Sequence, residues 1–248
     1  MPASRRKRSP AAGRGGAAVA ILAVGVLAGC MSVRAPTHPE LATVAQQGDS
    51  LALSDALEVL IASGKDTTTD RVYAYEVVRK RDADTAADAF ARAAITGRVV
   101  QAKGLVAAKL IGDVERDARH SRELDPDFRD GAATRLLGTL YVMAPASLLE
   151  HGDSETGLEM LEDLTAAGPD VPENHLRLAE AYIALHDPDP AHPHLCFSVA
   201  HQAALRPDDQ ALLKALLGEV GPLQCEAPVA PAHPAARGTG STAPPATR

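Results

Sequence analysis

The sequence predicts an all-α fold of stacked antiparallel helix pairs. Three observations carry this expectation. Between about Pro39 and Pro222 apolar residues recur at helical spacing, and no alternating strand pattern of useful length occurs. The apolar content is supplied by Ala, Leu and Val, with no Trp and three Phe. Such a composition suits helices in close contact through small side chains, not an aromatic-rich β-sandwich or sugar-binding cleft. The second half also repeats itself. Leu137-Gly138-x-x-Tyr141 recurs as Leu178-Ala179-x-x-Tyr182, 41 residues later, and fixed periods of this size signal stacked helix pairs.

Residues 1–29 read as an export signal. Arg5, Arg6, Lys7, Arg8 and Arg14 form a basic start, and Ala17 to Leu27 form an uncharged apolar run. That run is too short to cross a ~30 Å hydrocarbon core as a helix and fits a signal peptide. A twin-arginine signal is not read, because Lys7, Arg8, Ser9 and Pro10 follow the Arg5-Arg6 pair where apolar residues are expected. Leu27-Ala28-Gly29-Cys30 resembles the lipobox of bacterial lipoproteins. The resemblance implies cleavage before Cys30 and a lipid anchor of several acyl chains on it, since a single chain binds only marginally. Met31, where Asp would direct otherwise, points to the outer membrane on the same resemblance. The expected location is the cell envelope, lipid-anchored and facing the periplasm, with residues 30–39 as a tether.

Loss of the signal removes five of the 25 basic side chains and leaves 20 against 32 acidic ones, a formal charge of −12. An acidic chain is a poor match for nucleic acid, whose affinity comes from basic residues meeting phosphates. It is equally unsuited to lying on anionic lipid by charge alone.

The helical domain is placed at 40–222. Leu57, Leu60 and Ile61 share one helix face. Val72, Tyr75, Glu76 and Val78 begin another helix after Thr69-Asp70. Asp84 is positioned to cap a third, through Ala87, Phe90, Ala91 and Ala94, with helical content continuing through Val99, Ala102, Val106 and Leu110. In the repeat, Gly138 and Ala179 are small where one helix must approach its partner. Tyr141 and Tyr182 fill the space one turn on. Gly157 is the small residue of the second helix, with Leu161 and Leu164 after it on the same face.

Each unit then runs toward a helix-ending proline: Leu124-Asp125-Pro126-Asp127, Gly168-Pro169-Asp170 and Arg206-Pro207-Asp208. Proline stops a helix and the Asp after it starts a turn. The pattern resembles the tetratricopeptide repeat, lengthened beyond its usual ~34 residues at Met143 to Ser154 and His186 to His194. Asp209 to Val220 reads as the cap helix that such arrays need. Residues 223–248, rich in Pro, Gly and Ala, read as a disordered tail that cannot bury enough to offset its ordering entropy.

A family resemblance covers the second half. Ser121-Arg122-Glu123-Leu124-Asp125-Pro126-Asp127, Arg135-Leu136-Leu137-Gly138, Ala144-Pro145 and Gly152-Asp153 before Gly157-Leu158-Glu159 are similar to the T-component lipoproteins of TRAP transporters. The region Leu41 to Gly97 matches less well. The resemblance implies a periplasmic partner, an extracytoplasmic solute-binding protein, to which a small ligand is passed.

Cys196 and Cys225 are the cysteines besides Cys30. With Cys196 opening the helix before Pro207 and Cys225 following the next helix, a disulfide would staple the last hairpin in an oxidising compartment. The alternative is two buried thiols acting as small apolar groups. His186, His192, His194 and His201 lie near Cys196, but no recognised metal-ligand spacing is present, and the Pro-rich stretch around them reads as a solvated loop. Glu150-His151-Gly152-Asp153-Ser154-Glu155 contains hydrolase residue types without a Gly-x-Ser-x-Gly elbow, and Asp153 reads as a helix cap. Arg135, on an apolar helix face, needs a partner: an acidic residue on another helix, or a bound anion. The function expected is therefore non-enzymatic, with no cofactor and no metal: a membrane-anchored repeat protein that binds a protein partner. An envelope-assembly scaffold is the runner-up and a periplasmic hydrolase the distant alternative.

Overall fold

The computed structural model describes residues 34–225. The signal, the lipobox residues Leu27, Ala28 and Gly29, the lipidation residue Cys30, and the chain after Cys225 lie outside them. Among the described residues all regular structure is helical: α1 (Pro39–Gln46), α2 (Ser50–Ala62), α3 (Thr68–Val78), α4 (Ala86–Lys103), α5 (Ile111–Leu124), α6 (Ala132–Met143), α7 (Ser154–Ala167), α8 (Pro172–Ala184), α9 (Ala191–Ala200) and α10 (Pro207–Val220). Short 3-10 segments at Gly104–Leu110 and Ala146–Leu148 join α4 to α5 and α6 to α7.

Local chemistry sets the helix starts. Pro39, Pro172 and Pro207 stand in the first turns of α1, α8 and α10, where a missing N–H costs nothing and φ is preset. Asp49 caps α2 by accepting from the Ala52 N–H at 2.9 Å, and Asp153 caps α7 by accepting from the Thr156 N–H at 2.9 Å. A capping box starts α3: Thr67 Oγ1 accepts from the Asp70 N–H, and the Asp70 carboxylate accepts from the Thr67 N–H. The helix therefore begins at Thr68, and the Thr69-Asp70 boundary read from sequence lies inside it. Thr85, not Asp84, caps α4, its Oγ1 accepting from the Asp88 N–H at 3.1 Å.

Three further boundaries differ from the sequence reading. Helical content does not run unbroken through Val106. Gly104, at φ +56°, ends α4, and Leu105 and Val106 stand 90% and 84% exposed in the 3-10 segment. The His186 to His194 stretch is a loop only as far as Pro190. Pro193 falls in the first turn of α9, which removes its usual conflict with a helix. Cys196 consequently lies in the middle of α9 and does not open it. Pro207 opens α10; it does not end α9, which has already stopped at Ala200.

Successive helices pack on one another, α4 on α5, α6 on α7 and α8 on α9, while α10 returns to touch both α8 and α2. The core is divided along the chain. One cluster gathers Leu41, Leu53, Leu57, Leu60, Val78 and Ile95. Another gathers Leu176, Ala179, Ile183, Leu195, Leu205 and Leu213. Between them Leu137 and Tyr141 pack with Ala93 and Ala118, and Leu161 with Leu178 and Ala181.

The α6–α7 contact depends on its two glycines. A Cβ on Gly157 would lie 2.7 Å from the Gly138 carbonyl oxygen, and one on Gly138 would lie 2.7 Å from Leu161 Cγ. On α8, Leu178 faces α7 and Ala179 faces α9, while Tyr182 packs against both clusters and donates its hydroxyl hydrogen bond to Glu162. Glu115 holds the long loop after α6. Its buried carboxylate accepts from Tyr141 Oη at 3.0 Å and from the backbone N–H groups of Glu150 and His151 at 2.7 and 2.8 Å. At the C-terminal end Leu223 packs on the last core cluster and Cys225 is disulfide-bonded to Cys196, with Cα atoms 5.4 Å apart. Leu223 and Cys225, which follow the expected boundary at 222, are thus attached to the helical domain.

Candidate functional site: an arginine-lined groove

The even-numbered helices share one face. Ser54, Asp55 and Glu58 of α2, Phe90, Ala94 and Arg98 of α4, Arg135, Leu136 and Thr139 of α6, Glu173 and Arg177 of α8, and Asp209 of α10 line a single groove of 390 Å³. That volume falls within the range of small-molecule sites. Helices α3, α5, α7 and α9 contribute none of its lining.

Ion pairs knit most of the groove's charge across the chain. Arg98 reaches Glu58 on α2 and, at 2.9 Å, Asp208 on α10. Arg206 bonds the same Glu58 at 3.1 Å across 148 residues of sequence. Arg177 pairs with Glu180 at 2.8 Å and Asp209 at 2.6 Å, and Arg129 makes a two-pronged contact with Asp55 at 2.7 Å. Burial alone would depress the Arg98 guanidinium, but the bonds to Glu58 and Asp208 hold it above its ordinary range. Arg177 behaves alike: burial opposes its charge, and Glu180 and Asp209 outweigh that effect.

Arg135 differs. No carboxylate lies within 4 Å of it among the described residues. Its Nη1 donates instead to the neutral Asn174 Oδ1 and, at 3.2 Å, to the Asp130 carbonyl oxygen. The inter-helix acidic partner expected from sequence is replaced by an amide. Burial lowers the Arg135 pKa, and the carboxylates of Glu173, Asp209 and Asp130 act only from a distance. Asn174 is itself buried and spends its amide on the Leu164 and Gly168 carbonyls that end α7. One turn beyond Arg135, the Thr139 hydroxyl is buried without a hydrogen-bond partner. The groove rim just before α6 carries three residues in succession with positive φ, Arg129 (+50°), Asp130 (+54°) and Gly131 (+74°). Non-glycine residues there are strained.

No protein-family model matches this sequence, and it has no match among curated proteins.

The other residues singled out from the sequence are placed as follows. His151 lies against Glu115, its Nδ1 3.6 Å from Oε1, while Asp153 caps α7 and Ser154 is that helix's first residue. These residues serve the loop and helix start. His194 meets His175, a residue the sequence pattern does not single out, at 2.9 Å between Nδ1 atoms, and His175 stacks on Phe197 at 3.9 Å between ring centroids. Burial lowers the pKa of both imidazoles. Sequence reasoning also misses Glu115, Asn174 and Thr139. Each lies on a helix with no motif to mark it, and only the approach of another helix or loop makes it matter.

Proposed function

We propose that this chain is a lipid-anchored, periplasm-facing helical-repeat protein that acts by binding a partner. The single observation that supports this most strongly is the division of labour among helices. Alternate helices line one groove and the others back them, which is how stacked helix pairs in a tetratricopeptide-like α-solenoid form a concave binding face. Two further features agree with the repeat. Gly138 meets Gly157 at the α6–α7 contact. Ser198, 41 residues after Gly157, is fully buried on α9, as the second unit requires of a small residue.

Export and anchoring rest on the sequence before Cys30, and a disulfide at the far end suits an oxidising compartment. No helix among the described residues is long and apolar enough to cross a membrane. Attachment in this reading comes from lipid on Cys30. By the resemblance to TRAP-transporter T-component lipoproteins, the partner is the transporter's solute-binding protein; Met31 after the lipobox cysteine favours the outer membrane.

The test is crosslinking in intact cells followed by purification of the lipidated protein. Recovery of a periplasmic solute-binding protein at the groove supports the reading. Recovery of envelope-assembly proteins instead would replace it with a scaffold role. Cys30→Ala should move the protein from the membrane fraction to the soluble fraction, and unchanged membrane attachment would remove the lipid anchor from the proposal.

A further inference from the structure

We propose that Leu105 and Val106, at the tip of the 3-10 segment after α4, insert into an anionic membrane surface beside the lipid anchor, with Arg34, Lys103 and Lys109 against the headgroup phosphates. The inference rests on the reading of Cys30 as the point of lipid attachment and adds a second contact with the same membrane. Leu105 and Val106 are the most exposed large apolar side chains among the described residues. Gly104, at φ +56°, ends α4 and turns the chain, and Ala107, which follows the pair, is buried and holds the segment to the domain. The two apolar side chains therefore project together from a fixed turn. Singly exposed apolar residues are ordinary on protein surfaces, so the meaning of this pair comes from its position and its neighbours.

The chain enters the domain beside this tip. Arg34, the first described residue, lines a cavity together with Lys103 and with Val72 and Tyr73 of α3, and Lys103 stands two residues before Leu105. From Cys30 to Arg34 an extended chain spans at most about 14 Å. Acyl chains on Cys30 would hold Arg34, and the tip next to it, close to the bilayer. The charges suit that neighbour. Lys103 and Lys109 flank the apolar pair, and neither they nor Arg34 form an ion pair among the described residues. Glu76, on the wall of the same cavity, is taken by Arg79 at 2.8 Å. Apolar side chains that enter the acyl boundary while basic ones meet phosphates are the combination interfacial segments use. The mature chain is acidic as a whole, so the rest of its surface is repelled by an anionic leaflet and attraction is local to the tip. The contact thereby orients the domain, turning the C-terminal end of α4 toward the bilayer, where a tether alone leaves it free to rotate.

The chain has no Trp, so a single introduced Trp reports on one position. The test reconstitutes the lipidated protein carrying Leu105→Trp in phosphatidylcholine–phosphatidylglycerol vesicles whose acyl chains are brominated. Its fluorescence is expected to lose most of the intensity seen in unbrominated vesicles. Val199→Trp, at an exposed position on α9, which packs on α8 and α10, should lose little. Val106→Asp added to Leu105→Trp should lower insertion about tenfold or more, as loss of a buried Val side chain does, with helicity unchanged because neither side chain is packed. Vesicles of phosphatidylcholine alone should give weaker quenching, since each cation at an anionic surface is worth about fivefold. The proposal is overturned if position 105 is quenched no more than position 199, or if Val106→Asp leaves the quenching unchanged. Shielding of the Trp from aqueous acrylamide without quenching by brominated lipid would also overturn it, by making a second copy or another protein the occupant. Equal quenching in both lipid mixtures would remove Arg34, Lys103 and Lys109 from it. The two readings fail separately: vesicle-bound protein without quenching at position 105 keeps the anchor and loses the tip, whereas a wild type shown by mass spectrometry to carry no lipid loses both.

Discussion

Asp70 joins the start of α3 to the segment before α1 through one carboxylate. Its side chain is fully buried. It accepts from the Thr67 N–H and hydroxyl at 2.9 and 2.6 Å, and from the His38 N–H and ring nitrogen at 3.0 and 2.9 Å. Burial alone would raise its pKa, but these bonds overcome that and hold it at about 2. A folded pKa below the unfolded value means the stabilisation is present above about pH 4 and disappears as pH falls through about 2. Acid unfolding of the wild type should therefore steepen between those values. Asp70→Asn should remove about 2 kcal/mol at neutral pH and flatten that slope, measured by urea melts across the range. Glu115 acts similarly on the loop after α6. Glu115→Ala leaves the Tyr141 hydroxyl and two loop N–H groups without an acceptor and should cost about 2–4 kcal/mol. Glu115→Gln retains an acceptor and should cost less. Equal losses for both variants in denaturant titrations would contradict the hydrogen-bond account.

At the scale of helices, close approach separates glycines that look alike in sequence. Gly157 faces the Gly138 backbone carbonyl, which has little room to retreat, so Gly157→Ala should cost about 1–3 kcal/mol by forcing α6 and α7 apart. A Cβ on Gly218, in α10, meets nothing within 4 Å. Gly218→Ala should stabilise by up to about 1 kcal/mol through helix propensity. Comparing the two by thermal unfolding tests whether the glycine contact or propensity governs. The Gly138–Gly157 contact is legible in the sequence, because a small residue at a repeated position beside a Tyr has a packing meaning wherever it falls. Helix starts are less legible. Thr67-Thr68-Thr69-Asp70 offers several capping hydroxyls, and Thr67 is the one that stands three residues before Asp70 and can exchange hydrogen bonds with it. Pro193 misleads for a related reason. A proline reads as loop unless the helix start just before it is known.

Across the whole molecule, two links join distant parts of the chain. The disulfide Cys196–Cys225 closes 29 residues and ties α9 to the segment after α10. By loop entropy its reduction should lower stability by about 3–4 kcal/mol. Hydrogen exchange should then rise first in α10, and equal exchange in both redox states would show that core packing alone holds that helix. Glu58, Arg98, Arg206 and Asp208 form the second link, joining α2 to α10 across the groove mouth. An open row of helix pairs has no need of such a contact, and nothing in the local pattern announces it.

The helical class, the paired small residues and the last helix follow from the sequence by itself, since they depend on periodicity, side-chain size and backbone preference over spans of a few turns. The groove, the closure of α2 on α10 and the isolation of Arg135 were decided only by tertiary structure. Arg135 has Asp130 near it in sequence and stays unpaired, whereas Arg98 has no acidic residue closer in sequence than Asp88 and pairs with Glu58 and Asp208. The bond from Arg135 to Asn174, 39 residues away, and the lack of a carboxylate within reach among the described residues depend on where α8 settles against α6. A charge's partner is chosen by distances of a few ångströms between elements, and the order of residues along the chain does not encode those distances locally.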